Sequence, residues 1–179
     1  MRYVIAIDVG IKNLGICVFD FVESKFVYWQ VLSLCPNGNY QPSLNVDYVR
    51  NFIERHEHYF TEAKQILIER QIRCNMRIIE SVLQALYYDI TVILHARTVK
   101  AKYGLNMSNY RLNKQQAVRF ASTFTRENPQ AFTPTTLETF KTSVKQDDLG
   151  DSLLLIIYYL DTFSSCTLRT PVEDGEFQM

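Results

Sequence analysis

The chain has 179 residues, 47% of them hydrophobic and 21% charged, with 19 basic side chains balancing 19 acidic ones. That composition suits one globular domain with a single sizeable core and excludes a largely disordered chain. No apolar run reaches the roughly 18 residues that span a bilayer, and the N-terminus enters a strand without the layout of a signal peptide. The expectation is therefore an intracellular protein that does not insert into membranes.

Cys17, Cys35, Cys74 and Cys166 form no CxxC pair, so neither a zinc site nor a disulfide framework is supported. The zero net charge hides a polarised layout. Between Arg70 and Arg126 there are ten Lys and Arg against two acids, a net +8 that the rest of the chain offsets with −8. Such a distribution allows one basic face for phosphates, although basic residues solvating several helices would give the same count.

In chain order, Arg2 to Gly15 reads as a buried strand that ends in Asp8 and a Gly-containing turn with Lys12 and Asn13. Strands over 16–21 and 25–34, joined by a turn at 22–24, extend it into an antiparallel meander. A Pro/Gly/Asn loop over 35–43 precedes a helix over about 45–63, with Asn45 as candidate cap and His56 and His58 as solvated surface residues. A second core strand, 65–68, ends in Glu69. A helix over 75–88 and a strand over 90–94 follow.

Residues 96–113 read as a loop-rich basic passage in which Tyr103 and Tyr110 interleave with Lys100, Lys102 and Arg111. Stacking of these tyrosines and Phe120 on exposed bases is one reading, and core packing is the other. Helix resumes over 114–125, residues 128–140 read as a connection or a weak element, and a densely apolar helix runs from about Gln146 to Phe163. Residues 164–179 read as a loose tail. The layout predicts an α/β fold: a mixed five-stranded sheet, an antiparallel three-strand meander plus parallel strands, flanked by helices.

Four acids stand out by position: Asp8 and Glu69 at strand ends, Asp148 and Asp151 opening the last helix. Three residues apart, Asp148 and Asp151 share a helix face, whereas Asp147 points about 100° away and suits a cap. A strand-end turn and a favourable helix dipole explain these acids singly. Taken together, converging carboxylates repel and are stable only with divalent cations between them. Oxygen ligands suit Mg²⁺ or Mn²⁺, and two such ions about 3.5 to 4 Å apart support in-line attack of water on a phosphodiester.

The segments DVGIKNLG, IERQIR and DDLGDSLL, in this order over residues 2–160, resemble the RuvC-type Holliday junction resolvases of the RNase H-like (retroviral integrase) superfamily. Among these the poxvirus resolvases and their fungal mitochondrial relatives are most similar, because Glu69 is followed by Arg70-Gln71 and Arg73. The resemblance implies an RNase H-like nuclease domain over 1–163. Its metal-binding catalytic acids are Asp8, Glu69, Asp148 and Asp151, and its candidate catalytic lysines are Lys102 and Lys114. The family's His-x-x-Asp form is absent, with Lys145 and Asp148 at its ends.

The resemblance further implies a Mg²⁺-dependent endonuclease (Mn²⁺ able to substitute) with two ions per site and no small-molecule cofactor. Its substrate is a four-way junction or a branched or concatemeric intermediate, nicked symmetrically. The enzyme is a homodimer in the host cytoplasm, with the 75–88 helix as candidate interface. Lys12, Arg70, Arg73, Arg77, Lys100, Lys102, Arg111 and Lys114 are candidate DNA contacts. An RNase H-like nuclease acting on RNA/DNA hybrid or structured RNA is the alternative. An actin-type nucleotide-binding domain is disfavoured, because the chain is too short for the required pair of domains.

Overall fold

Side-chain alternation along β1 (Tyr3–Asp8) sets the architecture. Val4 and Ala6 face one helical layer, Ile5 and Ile7 the other, and all four are buried. In the computed structural model, which describes residues 1–36, 38–105, 109–164 and 168, β1 lies at the centre of a five-stranded sheet. β2 (Leu14–Asp20) pairs with it antiparallel and β4 (Ala63–Glu69) parallel. β3 (Lys25–Leu32) and β5 (Thr91–Leu94) form the edges, giving the order β3-β2-β1-β4-β5. The mixed sheet with its initial meander is the one the sequence predicts.

Parallel neighbours need crossover connections, and helices supply them. α1 (Asn45–Arg55) and α2 (Glu57–Thr61) link β3 to β4, and α3 (Cys74–Leu86) links β4 to β5. Their Val49, Phe52, Phe60, Ile79 and Leu83 cover the Ile5/Ile7 face. α4 (Ala96–Lys102), α5 (Tyr110–Glu127), α6 (Pro134–Thr142) and α7 (Gln146–Phe163) cover the Val4/Ala6 face. α7 is apolar nearly all round from Leu153 to Leu160, as befits a helix between the sheet and α5. Among the described residues no helix is long and apolar enough to cross a membrane.

Several local expectations change. The helix over 45–63 breaks at His56, which turns inward to 7% exposure instead of lying on the surface. Its Nδ1 meets the Phe52 carbonyl at 2.8 Å and its Nε2 meets the Tyr28 hydroxyl at 3.1 Å. Asn45 is a buried first-turn residue rather than a cap, its Oδ1 accepting from the Tyr40 hydroxyl at 2.8 Å.

The passage expected to be loop contains α4. Of the two readings of 128–140 the element holds, since the stretch includes the start of α6, set by Pro134 and by the Thr133 hydroxyl accepting from the Thr136 N–H. Tyr103 and Phe120 are core residues, and the Tyr103 hydroxyl donates to Asp161 at 2.7 Å, so base stacking is excluded for both. The side chain of Tyr110, and the tail over 164–179 apart from Ser164 and Leu168, lie outside the described residues.

Candidate active site

The same alternation that builds the core delivers two carboxylates. Asp8 continues the Val4, Ala6 series and Glu69 continues from Leu67, so both fall on the α7 face at the end of their apolar runs. The parallel register pairs Ile7 with Ile68, and one step further Asp8 and Glu69 lie on adjacent strands about 4.8 Å apart.

α7 brings the other two acids, and its approach depends on missing side chains. Gly15 is paired with Asp8 across β1 and β2, and a Cβ there would lie 2.5 Å from the Asp148 carbonyl oxygen. A Cβ on Gly150 would lie 2.9 Å from the Ala117 carbonyl of α5. Trp29 of β3 fixes the height of the helix: its indole N–H donates to the Leu149 carbonyl at 2.9 Å while its ring stacks on Phe140 at 4.7 Å. Asp148 and Asp151 thus flank a pinned residue, recessed at 16% and 14% side-chain exposure but reachable.

All four acids are held above the usual carboxylate range. Burial is the main cause for Asp8, reinforced by the charges of Glu69, Asp151 and Asp148. Burial and then Asp151 push Glu69 up to about 7. Burial also raises Asp151 and Asp148, the latter aided by Asp147. Lys100 opposes the shift at Asp8, Glu69 and Asp151, with its Nζ 2.8 Å from Asp151 Oδ1. Burial disfavours the Lys100 ammonium, yet these three carboxylates outweigh it and hold its pKa above the ordinary value. Lys114 pairs with Asp147 and stands 4.0 Å from Asp148 Oδ1. Burial disfavours the charge on Asp147, but this lysine holds it below the ordinary value.

The donor set fits a hard divalent cation. It offers oxygen ligands only, and Asp148 Oδ2 and Asp151 Oδ1 are buried without an aligned hydrogen-bond donor, Lys100 approaching the latter as an ion pair. Among the described residues no three such side chains already close around one point. Lys100 supplies the counter-charge in their midst.

Of the two lysines expected at the site, Lys114 stands beside the acids and Lys102 does not. Lys102 lies off the site, donating to Thr162 at 2.9 Å and standing 3.9 Å from Asp161, ten residues or about 15 Å along α7 from Asp151. On a helix Lys100 and Lys102 point about 160° apart, so only one can face the acids. Asp147 is an ion-pair partner rather than a cap, since Lys145 occupies the cap position.

Of the other candidate contacts, Arg70 lies beside Glu69 and bonds His95 Nε2 at 3.0 Å. Lys12, Arg73, Arg77 and Arg111 are exposed on the β1–β2 turn, the start of α3 and the start of α5. The reading by motif missed Trp29, whose single hydrogen bond has no local sequence signal. It also missed the contact of Gly15, although DVGIKNLG contains that glycine.

This architecture and site define a class. The chain shares its fold with the yeast mitochondrial Holliday junction resolvase Ydc2, at TM-score 0.65 and 22% identity over 88% of this chain and 78% of that one. It shares it also with the fowlpox virus Holliday junction resolvase, at 0.61 and 16% over 89% and 97%. Thermus thermophilus RuvC bound to a Holliday junction substrate gives 0.52 and 13% over 92% and 98%. The fold is thus that of the RuvC-type resolvases. Within that class, residues 2–162 match the family model described as Poxvirus A22 protein, and the chain belongs to that family. Comparison with curated proteins finds no match.

Proposed function

We propose that residues 1–163 form a metal-dependent, structure-specific endonuclease that resolves four-way DNA junctions, and with them branched or concatemeric intermediates, by paired symmetric nicks. The observation that carries this reading is the convergence of Asp8, Glu69, Asp148 and Asp151 from three elements, all raised in pKa by burial and one, Asp148, with a buried oxygen that no donor meets. These four residues would hold Mg²⁺ or Mn²⁺, two ions to a site. Bound there, the ions would supply Lewis acidity and an activated water for phosphodiester hydrolysis.

Lys100 and Lys114 stand beside the acids as positive charges able to stabilise charge that develops on the phosphate. Lys12, Arg70, Arg73, Arg77 and Arg111 would hold the junction arms by their phosphates. The fowlpox virus resolvase has been solved with substrate Holliday junction DNA, which supports the same class of substrate here.

A junction with two-fold symmetry calls for two sites, and we place the second on another copy docked through the outer side of α3. That side carries an open groove of about 520 Å³ lined by Ile72, Ile78 and Val82 among others, with Ile72 92% exposed. A poxvirus family fits action in the host cytoplasm, where viral DNA replicates.

The test is cleavage of an end-labelled four-way junction beside a linear duplex and an RNA/DNA hybrid, with Mg²⁺ or chelator, for wild type and Asp151→Asn. Symmetric, metal-dependent nicks that fall at least ~100-fold in the variant while binding persists are expected. Cutting of the hybrid alone would transfer the function to an RNA-directed nuclease. Sedimentation of wild type and Ile78→Glu tests the dimer, which the variant should dissociate.

A further inference from the structure

α5 carries Arg111, Lys114, Arg119 and Arg126 and no acid before Glu127 at its end. α1, by contrast, alternates Asp47 and Glu54 with Arg50 and Arg55. Arg126 stands 3.6 Å from Glu127, whereas Arg111 and Arg119 make no ion pair among the described residues. At spacings of four, Arg111, Gln115 and Arg119 lie in one exposed row. Beside it Lys114, Gln115, Val118 and Arg119 form one wall of a cleft of about 420 Å³, and Asp147, next to Asp148, forms the other.

Lys114 meets Asp147, and Ala117 meets Gly150, so α5 and α7 run the same way over this stretch, away from the carboxylates. Arg119 therefore stands about 7.5 Å further along than Lys114, comparable with one phosphate-to-phosphate step along a nucleic-acid strand. Its guanidinium is a hydrogen-bond donor for anions with no acid partner among the described residues, at the open end of a cleft whose inner end adjoins the candidate active site.

We propose that this α5–α7 cleft is a phosphate subsite for the strand being cut, with Arg119 and Gln115 holding the phosphate next to the one beside Lys114. The proposal rests on the nuclease reading above and adds a residue and a strand path to it. The carboxylate of Asp147 does not oppose this role, because Lys114 neutralises it and leaves the outer cleft to Arg119.

The experiment is an anisotropy titration of a labelled four-way junction in chelator, across salt concentrations, with wild type, Arg119→Ala, Arg119→Lys and Lys25→Ala. Lys25 is exposed at the β2–β3 turn, at the opposite end of the sheet. The expected result is a slope of log affinity against log salt about 0.9 shallower for Arg119→Ala, several-fold weaker binding at low salt, and recovery of the slope with Arg119→Lys. Lys25→Ala should keep the wild-type slope. A wild-type slope in Arg119→Ala, or an equal loss in Lys25→Ala, overturns the subsite while leaving the nuclease reading intact. Absence of salt-dependent junction binding by wild type would instead overturn that reading and the subsite with it.

Discussion

The two faces of the sheet share backbone, register and aliphatic composition, yet end differently. On the α1–α3 face the β1 series Ile5, Ile7 closes with buried Val9, and the β4 series Ile66, Ile68 runs out to Arg70. On the α4–α7 face the series Val4, Ala6 and Leu67 close with Asp8 and Glu69. A displacement of one residue along a strand is a change of face, so a single step separates a packing layer from one that gathers carboxylates. The packing face gains stability from the aliphatic and aromatic side chains it buries. The other gives some of it up, since it gathers four raised carboxylates at one end.

pH should separate the faces most strongly. In chelator, the folded chain holds Glu69 at about 7 against 4.5 when unfolded, so this group favours folding fully below pH 4.5. That contribution is lost as pH rises toward 7, with a difference on the order of 3 kcal/mol. His56, on the packing face, is held below its usual range by burial, so its effect has the opposite sign: stability falls as pH drops through its unfolded value of 6.5. Denaturant melts at pH 5 and 8 of wild type, Glu69→Gln and His56→Phe check both signs. Glu69→Gln should flatten the loss at high pH, and His56→Phe the loss at low pH. A wild-type profile in either variant would break the contrast.

The lysines sharpen the comparison within the carboxylate-bearing face. Lys100→Ala should lower junction cleavage at saturating DNA about 10- to 100-fold, because it removes the cation among Asp8, Glu69 and Asp151. Lys102→Ala, which loses contacts to Thr162 and Asp161, should cost no more than a few-fold. Single-turnover rates decide it, and equal losses would return Lys102 to the site.

A smaller effect is expected from backbone approach. Gly15→Ala places a methyl against the Asp148 carbonyl, and should cost about 1–3 kcal/mol and depress cleavage along with stability. Ile68→Val, one residue from Glu69 on the packing face, should cost about 0.5–1.5 kcal/mol and leave cleavage unchanged. Melting and cleavage measured together on the two variants test whether stability and activity separate by face.

Much of this was legible in one dimension because it rests on short-range periodicity. The β-branched runs before Asp8 and Glu69 define strands, and the spacing of Asp148 and Asp151 defines a shared helix face. What escaped did so for local reasons. α4 is ARTVKAK, with Val99 its one buried residue, too little apolar pattern to separate a helix from a basic loop. His56 sits among polar neighbours and turns inward only because the chain breaks between α1 and α2. The Thr133-Pro134 start of α6 has the form of a cap followed by proline, but the threonines that follow blur the helical pattern.

The sequence by itself determined the strands, the positions of the four acids and the polarised charge, since strand runs and shared helix faces depend on residues within a few positions of one another and charge needs only a count. Only the tertiary structure decided that Lys100 and not Lys102 faces the acids, that Asp147 goes to Lys114, and that Gly15 and Trp29 seat α7. Those choices depend on the angle and height at which one helix meets a sheet, which are set by side chains more than a hundred residues apart. No local pattern encodes them.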